Sequence, residues 1–280
     1  VRIIRRIKEI SKLSLKNRLK RIKIGFVPTM GALHQGHLSL IRQARRENSF
    51  VVVSIFVNPI QFGPKEDFKK YPRRLKRDAN LCRKEGVDII FFPSVKEMYS
   101  DNFKTYVTVK DLSDVLCGKS RPGHFQGVTT IVTKLFNIVQ PDTAYFGQKD
   151  AQQAIIIKKM VEDLNMPVKI KILPTIRQID GLALSSRNVY LNDKERKDAL
   201  VLSSALKLAR NLIEKGEKDT LKIIDRMKKM IQMKKTAKID YISIVDLDNL
   251  RPISRIKGNC LIALAVWIGK TRLIDNIVIN

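Results

Sequence analysis

Residues 22–37 read IKIGFVPTMGALHQGH, and the fold follows from that run. Ile22 to Pro28 is a short apolar stretch of strand length. It meets Gly31, which permits the tight turn a strand needs before a helix. From His37 to Glu47 the apolar residues Leu38, Ile41 and Ala44 recur at helical spacing. Phe50 to Val57, FVVVSIFV, is then almost continuously apolar and β-branched, as a strand covered on both faces of a parallel sheet has to be. The alternation runs on: Pro72 opens a helix through about Glu85, and VDIIFFP (Val87 to Pro93) is a strand. FQGVTTIVTKLFNIVQ (Phe125 to Gln140) is an apolar-faced helix followed by Pro141. TAYFG (Thr143 to Gly147), a helix from Ala151 to Leu164 and VKIKILPT (Val168 to Thr175) complete it. Such a series predicts the α/β class: a doubly wound parallel sheet whose ligands bind beyond the carboxyl ends of its strands.

After Thr175 the rhythm changes. Asp193 to about Gly216 reads as one long helix and Asp219 to about Lys235 as another, followed by three strand-like runs, IDYISIVD, NCLIALAVWIG and RLIDNIVIN. Two helices with three clustered strands make a second, smaller α+β domain, dividing the chain into residues 1–175 and 176–280.

Composition narrows the function classes. With 280 residues and 44% hydrophobic content the chain can bury a sizeable core, yet it holds no apolar run of membrane-spanning length, so no membrane partner is expected. The basic start, VRIIRRIKEISKLSLKNRLKRIKIG, has no continuous apolar region followed by a small-residue cleavage site, so no secretory signal is expected either. Cys82, Cys117 and Cys260 form neither a CxxC pair nor a ligand cluster, which fits reduced thiols in a cytoplasmic protein. The net charge of +27 invites a nucleic-acid reading. The excess is, however, spread through lysine-rich helical stretches with no zinc-finger, RNP-like or homeodomain-like pattern, so no specific nucleic-acid partner is expected.

Four segments carry chemistry. In PTMGALHQGH (Pro28 to His37) two histidines stand at the start of a helix, where free N–H groups and the dipole suit a phosphate; the plain alternatives are helix capping or adventitious zinc. In FVNPIQFGPKEDFKKYPR (Phe56 to Arg73), Asn58 and Gln61 lie just beyond a buried strand, with amides suited to a small hydroxy acid. The charged run after Gly63 reads as a loop that closes over the site to exclude water, or as an ordinary surface loop. FGQKD and its sequel place Lys149 and Asp150 at a strand end and Gln152 and Gln153 in the next helical turn; Asp150 is equally readable as a helix cap. His124, after a Pro-Gly turn, reads as a loop organiser. In GLALSSRNVYL, Ser185, Ser186 and Arg187 make a hydroxyl-plus-guanidinium cluster suited to phosphate oxygens.

The HxGH pattern of His34 and His37 resembles the signature of the adenylyl-transferring nucleotidyltransferases. The four segments in this order, together with EGVDIIFFPSVKEMY between them, resemble the pantothenate synthetase family from about Ile22 to the end of the chain. The resemblance implies a Rossmann-like N-terminal domain and ATP-dependent condensation of D-pantoate with β-alanine through a pantoyl-adenylate. It also implies Mg2+ accompanying ATP with no dedicated protein ligand set, and a cytosolic homodimer.

On the same grounds the nucleotide contacts fall on Met30, Gly31, Ala32, Leu33, His34, Gln35, Gly36 and His37, then on Gly147, Gln148, Lys149 and Asp150. Ile176, Leu184, Ser185, Ser186 and Arg187 complete them. His37 matches the proton donor, and His34, Lys149, Ser185 and Arg187 match the groups that hold the phosphates during adenylate formation. Gln61 and Gln153 match the pantoate-binding pair, with Asn58 beside them as a further substrate residue. The departures are Leu184 where methionine is common, Gln178 for a frequent glutamate, and basic Lys76 and Arg77 beside Asp78, a possible magnesium-facing residue. The competing readings are another HxGH-type adenylyl- or cytidylyltransferase, a basic RNA-binding module and an inactive structural homologue.

Overall fold

A computed structural model describes residues 1–64 and 66–280. Lys65, inside the charged loop after Gly63, lies outside the described residues. The strands are β1 (Arg2–Ile4), β2 (Ile24–Thr29), β3 (Phe50–Ile55), β4 (Ile89–Phe91), β5 (Thr143–Gly147), β6 (Lys169–Leu173), β7 (Ala237–Asp246), β8 (Cys260–Ile268) and β9 (Thr271–Ile279). The helices are α1 (Ile7–Leu19), α2 (Gln35–Glu47), α3 (Leu75–Lys84), α4 (Val95–Met98), α5 (Cys117–Ser120), α6 (His124–Val139), α7 (Ala151–Asp163), α8 (Asp193–Asp198), α9 (Leu200–Glu214) and α10 (Thr220–Gln232).

β1 to β6 form one parallel sheet in the order β1-β4-β3-β2-β5-β6. The continuous apolar runs are explained by its two covered faces. Ile10, Ile131, Leu135, Ile157 and Met160 of α1, α6 and α7 bury Phe26 and Val52 from one side. Leu38, Ile41, Ala44, Ala79 and Cys82 of α2 and α3 bury Val27, Val51 and Val53 from the other. The chain progresses outward from β2 in one direction through β3 and β4, and in the other through β5 and β6. β2 and β5 therefore flank a switch point, and a crevice opens beyond their carboxyl ends. The basic first residues hold a strand the sequence pattern did not announce: β1 pairs with β4 at the sheet edge, from Arg2↔Ile89 to Ile4↔Phe91.

The smaller domain is an antiparallel sheet, β7-β8-β9, packed against α9 and α10. β8 is buried on both faces because its alternate residues serve two cores. Ile262, Leu264 and Val266 meet the helices, while Leu261 and Ala263 meet Phe125, Ala151 and Ile156 of the larger unit. The single helix expected from Asp193 to Gly216 is two. Asn192 and Glu195 form a capping box that starts α8, and at buried Ala199 the chain tightens, Leu202 N–H in the first turn of α9 reaching the Ala199 carbonyl at 3.2 Å.

Candidate active site

The turn between β2 and α2 runs through two consecutive left-handed residues, Gly31 (φ 84°) and Ala32 (φ 51°). A Cβ on Gly31 would also lie 3.0 Å from Ile55 Cγ2. Two fixed acceptors hold this turn. Thr29 Oγ1 takes the Gly31 N–H at 3.1 Å, and the Asp78 carboxylate takes those of Ala32 (2.8 Å) and Leu33 (3.0 Å). Asp78, on α3, is 1% exposed. Burial raises its pKa against the opposing pull of those two N–H bonds. Asp78, read from the sequence as a possible magnesium-facing residue, is placed here to shape the turn and is not among the walls of the crevice described below.

His34 is the N-cap of α2, its Nδ1 accepting the Gly36 N–H at 3.2 Å, while His37 Nδ1 accepts the His34 N–H at 3.3 Å. A backbone N–H only donates, so each Nδ1 is unprotonated and each ring carries its proton on Nε2. No partner for either Nε2 occurs among the described residues. Capping and ligand binding are therefore complementary: one nitrogen of each ring builds the helix start and the other is left to donate. The ring centroids are 4.1 Å apart. Burial and nearby Lys149 lower His34 to about 4, and burial with His34 alongside lowers His37 to about 3, so both are neutral donors near pH 7.

Across the crevice, Asn58 and Gln61 are buried at the end of β3. Asn58 Nδ2 donates to Gln61 Oε1 (3.1 Å) and to the Gly127 carbonyl (3.0 Å), and its Oδ1 accepts from Tyr99 Oη (2.7 Å). Asn58 thus fixes the orientation of the Gln61 amide. Gly127 lets α6 pack there, since a Cβ would lie 2.5 Å from the Ile60 carbonyl oxygen and 2.7 Å from Gln61 Cα. His124 Nδ1–H donates to the Gln61 carbonyl at 2.8 Å, and its Nε2 accepts from Arg121 at 2.9 Å. Burial lowers this ring to about 4, so it organises the loop as a neutral residue.

Lys149 and Asp150 follow β5, with Lys149 Nζ 3.3 Å from Asp150 Oδ1. Asp150 occupies the N-cap position of α7 without a side-chain capping bond, which leaves its carboxylate facing the crevice. Desolvation pushes Asp150 up, but Lys149 and Arg187 outweigh it and hold the group below its ordinary value. The two glutamines of α7 diverge. Gln152 is buried and ties down the Leu112, Val115 and Cys117 backbone, whereas Gln153 lines the crevice with Gln61.

The Ser185 segment closes the crevice from the smaller domain. Ser185 Oγ accepts the Arg187 N–H at 3.2 Å, and the Leu184 N–H donates to the Ile176 carbonyl at 3.0 Å. The loop after Gln61 is latched across it. Glu66 grips Arg121 with both oxygens at 2.6 Å, Asp67 grips Arg187 at 2.8 and 3.0 Å, and Tyr71 Oη lies 3.2 Å from Ser186 Oγ.

These elements enclose a crevice of about 230 Å³. Its walls include Met30, His34, Gly36, His37, Asn58, Gln61, Gly147, Lys149, Asp150, Gln153, Ile176, Leu184, Ser185, Ser186 and Arg187. It shares Lys149, Gln153 and Arg187 with a larger interdomain cavity of about 710 Å³. Gly31, Ala32, Leu33, Gln35 and Gln148 are not among its walls. Leu33 is fully buried in the core, and Gln35 is exposed beside Arg42. Sequence reasoning missed Asn276 of β9, 4% exposed, whose Nδ2 donates to the Gln148 and Lys149 carbonyls at 2.9 Å each and so holds the lysine turn. No local pattern flags a residue that acts 127 positions away.

A family model described as Pantoate-beta-alanine ligase matches residues 2–278. Pantothenate synthetase of Caldicellulosiruptor saccharolyticus is 59% identical over 271 residues, 95% of this chain and 96% of that one. Pantothenate synthetase of Caldicellulosiruptor bescii is 57% identical over 278 residues, 99% of each chain. The crystal structure of pantothenate synthetase from Thermus thermophilus superimposes with a TM-score of 0.94 at 45% identity, covering 99% of both chains. Pantoate-beta-alanine ligase from Francisella tularensis, solved with Beta-gamma ATP and beta-alanine, superimposes with a TM-score of 0.80 at 37% identity, covering 99% of this chain and 97% of that one.

Proposed function

The chain belongs to the pantoate–β-alanine ligase family, and from that premise we propose how its own residues carry out the ATP-dependent joining of D-pantoate to β-alanine. The products are pantothenate, AMP and diphosphate. The observation that carries the reading is the convergence of two Nε2–H donors, a lysine and an arginine on one crevice that also holds two glutamine amides.

A pantoate carboxylate oxygen attacks the α-phosphorus of ATP, forming the acyl–phosphate bond as the bond to diphosphate breaks. His34 and His37 donate through Nε2 to phosphate oxygens, and Lys149 and Arg187 neutralise the charge moving onto diphosphate, with Ser185 beside them. Gly36, Ile176 and Leu184 wall the nucleotide. Met30 and Gly147 adjoin it at the switch point. Gln61 and Gln153 hold pantoate, and Asn58 acts through Gln61. The β-alanine amine then attacks the acyl carbon and AMP leaves. Since no side-chain nucleophile is invoked, the rate comes from alignment and fixed charge in a site closed to water.

Mg2+ accompanies ATP and screens the phosphate charge. Asp150, the carboxylate on the crevice wall, is the side chain that would face an ion held by the phosphates. We further propose a division of the chain near residue 175, a cytoplasmic location and a homodimer. No helix among the described residues is long and apolar enough to cross a membrane.

The test is AMP and pantothenate formation from MgATP, D-pantoate and β-alanine with each omitted in turn. Both products appear only when all three are present. AMP released without pantoate or β-alanine would instead point to another HxGH adenylyl transfer.

A further inference from the structure

The guanidinium assigned above to the phosphates of ATP is already engaged. Arg187 Nε and Nη2 meet the two oxygens of Asp67 at 3.0 and 2.8 Å, the two-point geometry by which an arginine also reads a phosphate. Both side chains are largely enclosed, 29% and 22% exposed. The neighbouring Glu66 makes an equivalent pair, but with Arg121 of the larger domain. Tyr71 completes the latch at Ser186. One loop thus carries two adjacent carboxylates that grip arginines with different assignments: Arg121 supports Gln61 through its carbonyl and through His124, while Arg187 faces the nucleotide.

We propose that Asp67 is a positioning residue that stands in for phosphate on Arg187, so that ATP binds by exchange with this carboxylate and Asp67 reclaims the arginine as diphosphate leaves. The proposal rests on the assignment of Arg187 to the phosphates. A triphosphate carries more charge than a carboxylate and takes the guanidinium, while Glu66 keeps the loop anchored through Arg121. Before ATP arrives, the pair keeps Arg187 extended and pointed, and the arginine does not have to be ordered at the moment of binding. The cost is affinity, because part of the attraction for ATP is spent on displacing Asp67.

This exchange has a sign that simple damage to the loop does not share. Removing the charge of Asp67 tightens ATP binding, whereas loosening the loop elsewhere does not. The experiment measures the Kd of α,β-methylene ATP, whose bridge blocks the bond this reaction breaks, with Mg2+ by calorimetry on the full chain. The proteins are wild type, Asp67→Asn, Asp67→Ser, Glu66→Gln, Arg187→Ala and the Asp67→Asn/Arg187→Ala double variant. Asp67→Asn and Asp67→Ser are expected to bind about three- to twentyfold tighter, Glu66→Gln no tighter, and the double variant no tighter than Arg187→Ala. Unchanged or weaker binding by both Asp67 variants, while Arg187→Ala loses affinity, overturns the exchange and leaves the phosphate assignment standing. Equal tightening by Glu66→Gln overturns it in favour of general loop release. Wild-type affinity in Arg187→Ala removes the phosphate assignment and the exchange with it.

Discussion

The turn that opens α2 and the loop that follows Gln61 face the same crevice, yet they are held by opposite kinds of bond. In the turn, Thr29, Asp78, His34 and His37 each accept backbone N–H groups, and Asp78 is shut away from water. In the loop, Glu66 and Asp67 reach other side chains, Arg121 and Arg187, in partly enclosed ion pairs, and buried Tyr71 meets Ser186. Buried bonds to backbone are costly to break because the donor is left unpaired. Partly exposed ion pairs are each worth little and are readily exchanged. The contrast separates groups held rigidly enough to stabilise developing charge from a loop held by bonds that can be exchanged.

The largest expected effect tests the fixed side. His37→Ala or Lys149→Ala is expected to lower pantoate-dependent exchange of labelled diphosphate into ATP by about two to four orders of magnitude. Near-wild-type exchange in both variants would break the contrast at its catalytic end.

Stability sharpens it further. Asp78→Ala strands two buried N–H groups and is expected to cost about 2–6 kcal/mol in denaturant unfolding, whereas Glu66→Gln, which removes an ion pair of the loop, costs under about 1 kcal/mol. Equal losses would mean that the loop is as fixed as the turn.

Acid probes the same difference. His34 and His37 sit at about 4 and about 3 in the folded chain, against 6.5 when unfolded. Below pH 6.5 the unfolded chain takes up protons that the folded chain refuses. Stability therefore holds above pH 6.5 and falls as pH drops toward 4, by up to about 1.4 kcal/mol per pH unit for each ring. ATP phosphates favour the protonated rings, so saturating ATP should flatten that slope; an unchanged slope would detach the histidines from the nucleotide.

The smallest effect belongs to the latch. Tyr71→Phe loses a single hydroxyl contact with Ser186 and is expected to raise the KM for ATP less than about tenfold, with kcat nearly unchanged. A collapse of kcat would make Tyr71 part of the fixed machinery.

The parallel sheet, and the crevice beyond its strand ends where the candidate site lies, were legible in the chain. Continuous β-branched runs such as FVVVSIF, helical spacing in α2, and the turn and cap residues between them are local signals, set by how neighbouring side chains can be buried together. Local motifs together with the family resemblance singled out His34, His37, Gln61, Lys149, Gln153 and Arg187, and all six line the crevice. They could not reveal that RII at the start completes the sheet edge, because three residues carry no period.

The division of labour among like residues was settled only when the chain packed. Packing turned Gln152 inward and Gln153 toward the crevice, spent Asp78 and Asn58 on support, and buried Leu33 while leaving Met30 on the wall. It also brought Asp67 to Arg187 and Asn276 to Lys149 across more than a hundred residues. Side-chain chemistry is written locally, but a hydrogen bond depends on which atoms are left facing each other once the two cores have packed, and no local pattern encodes that.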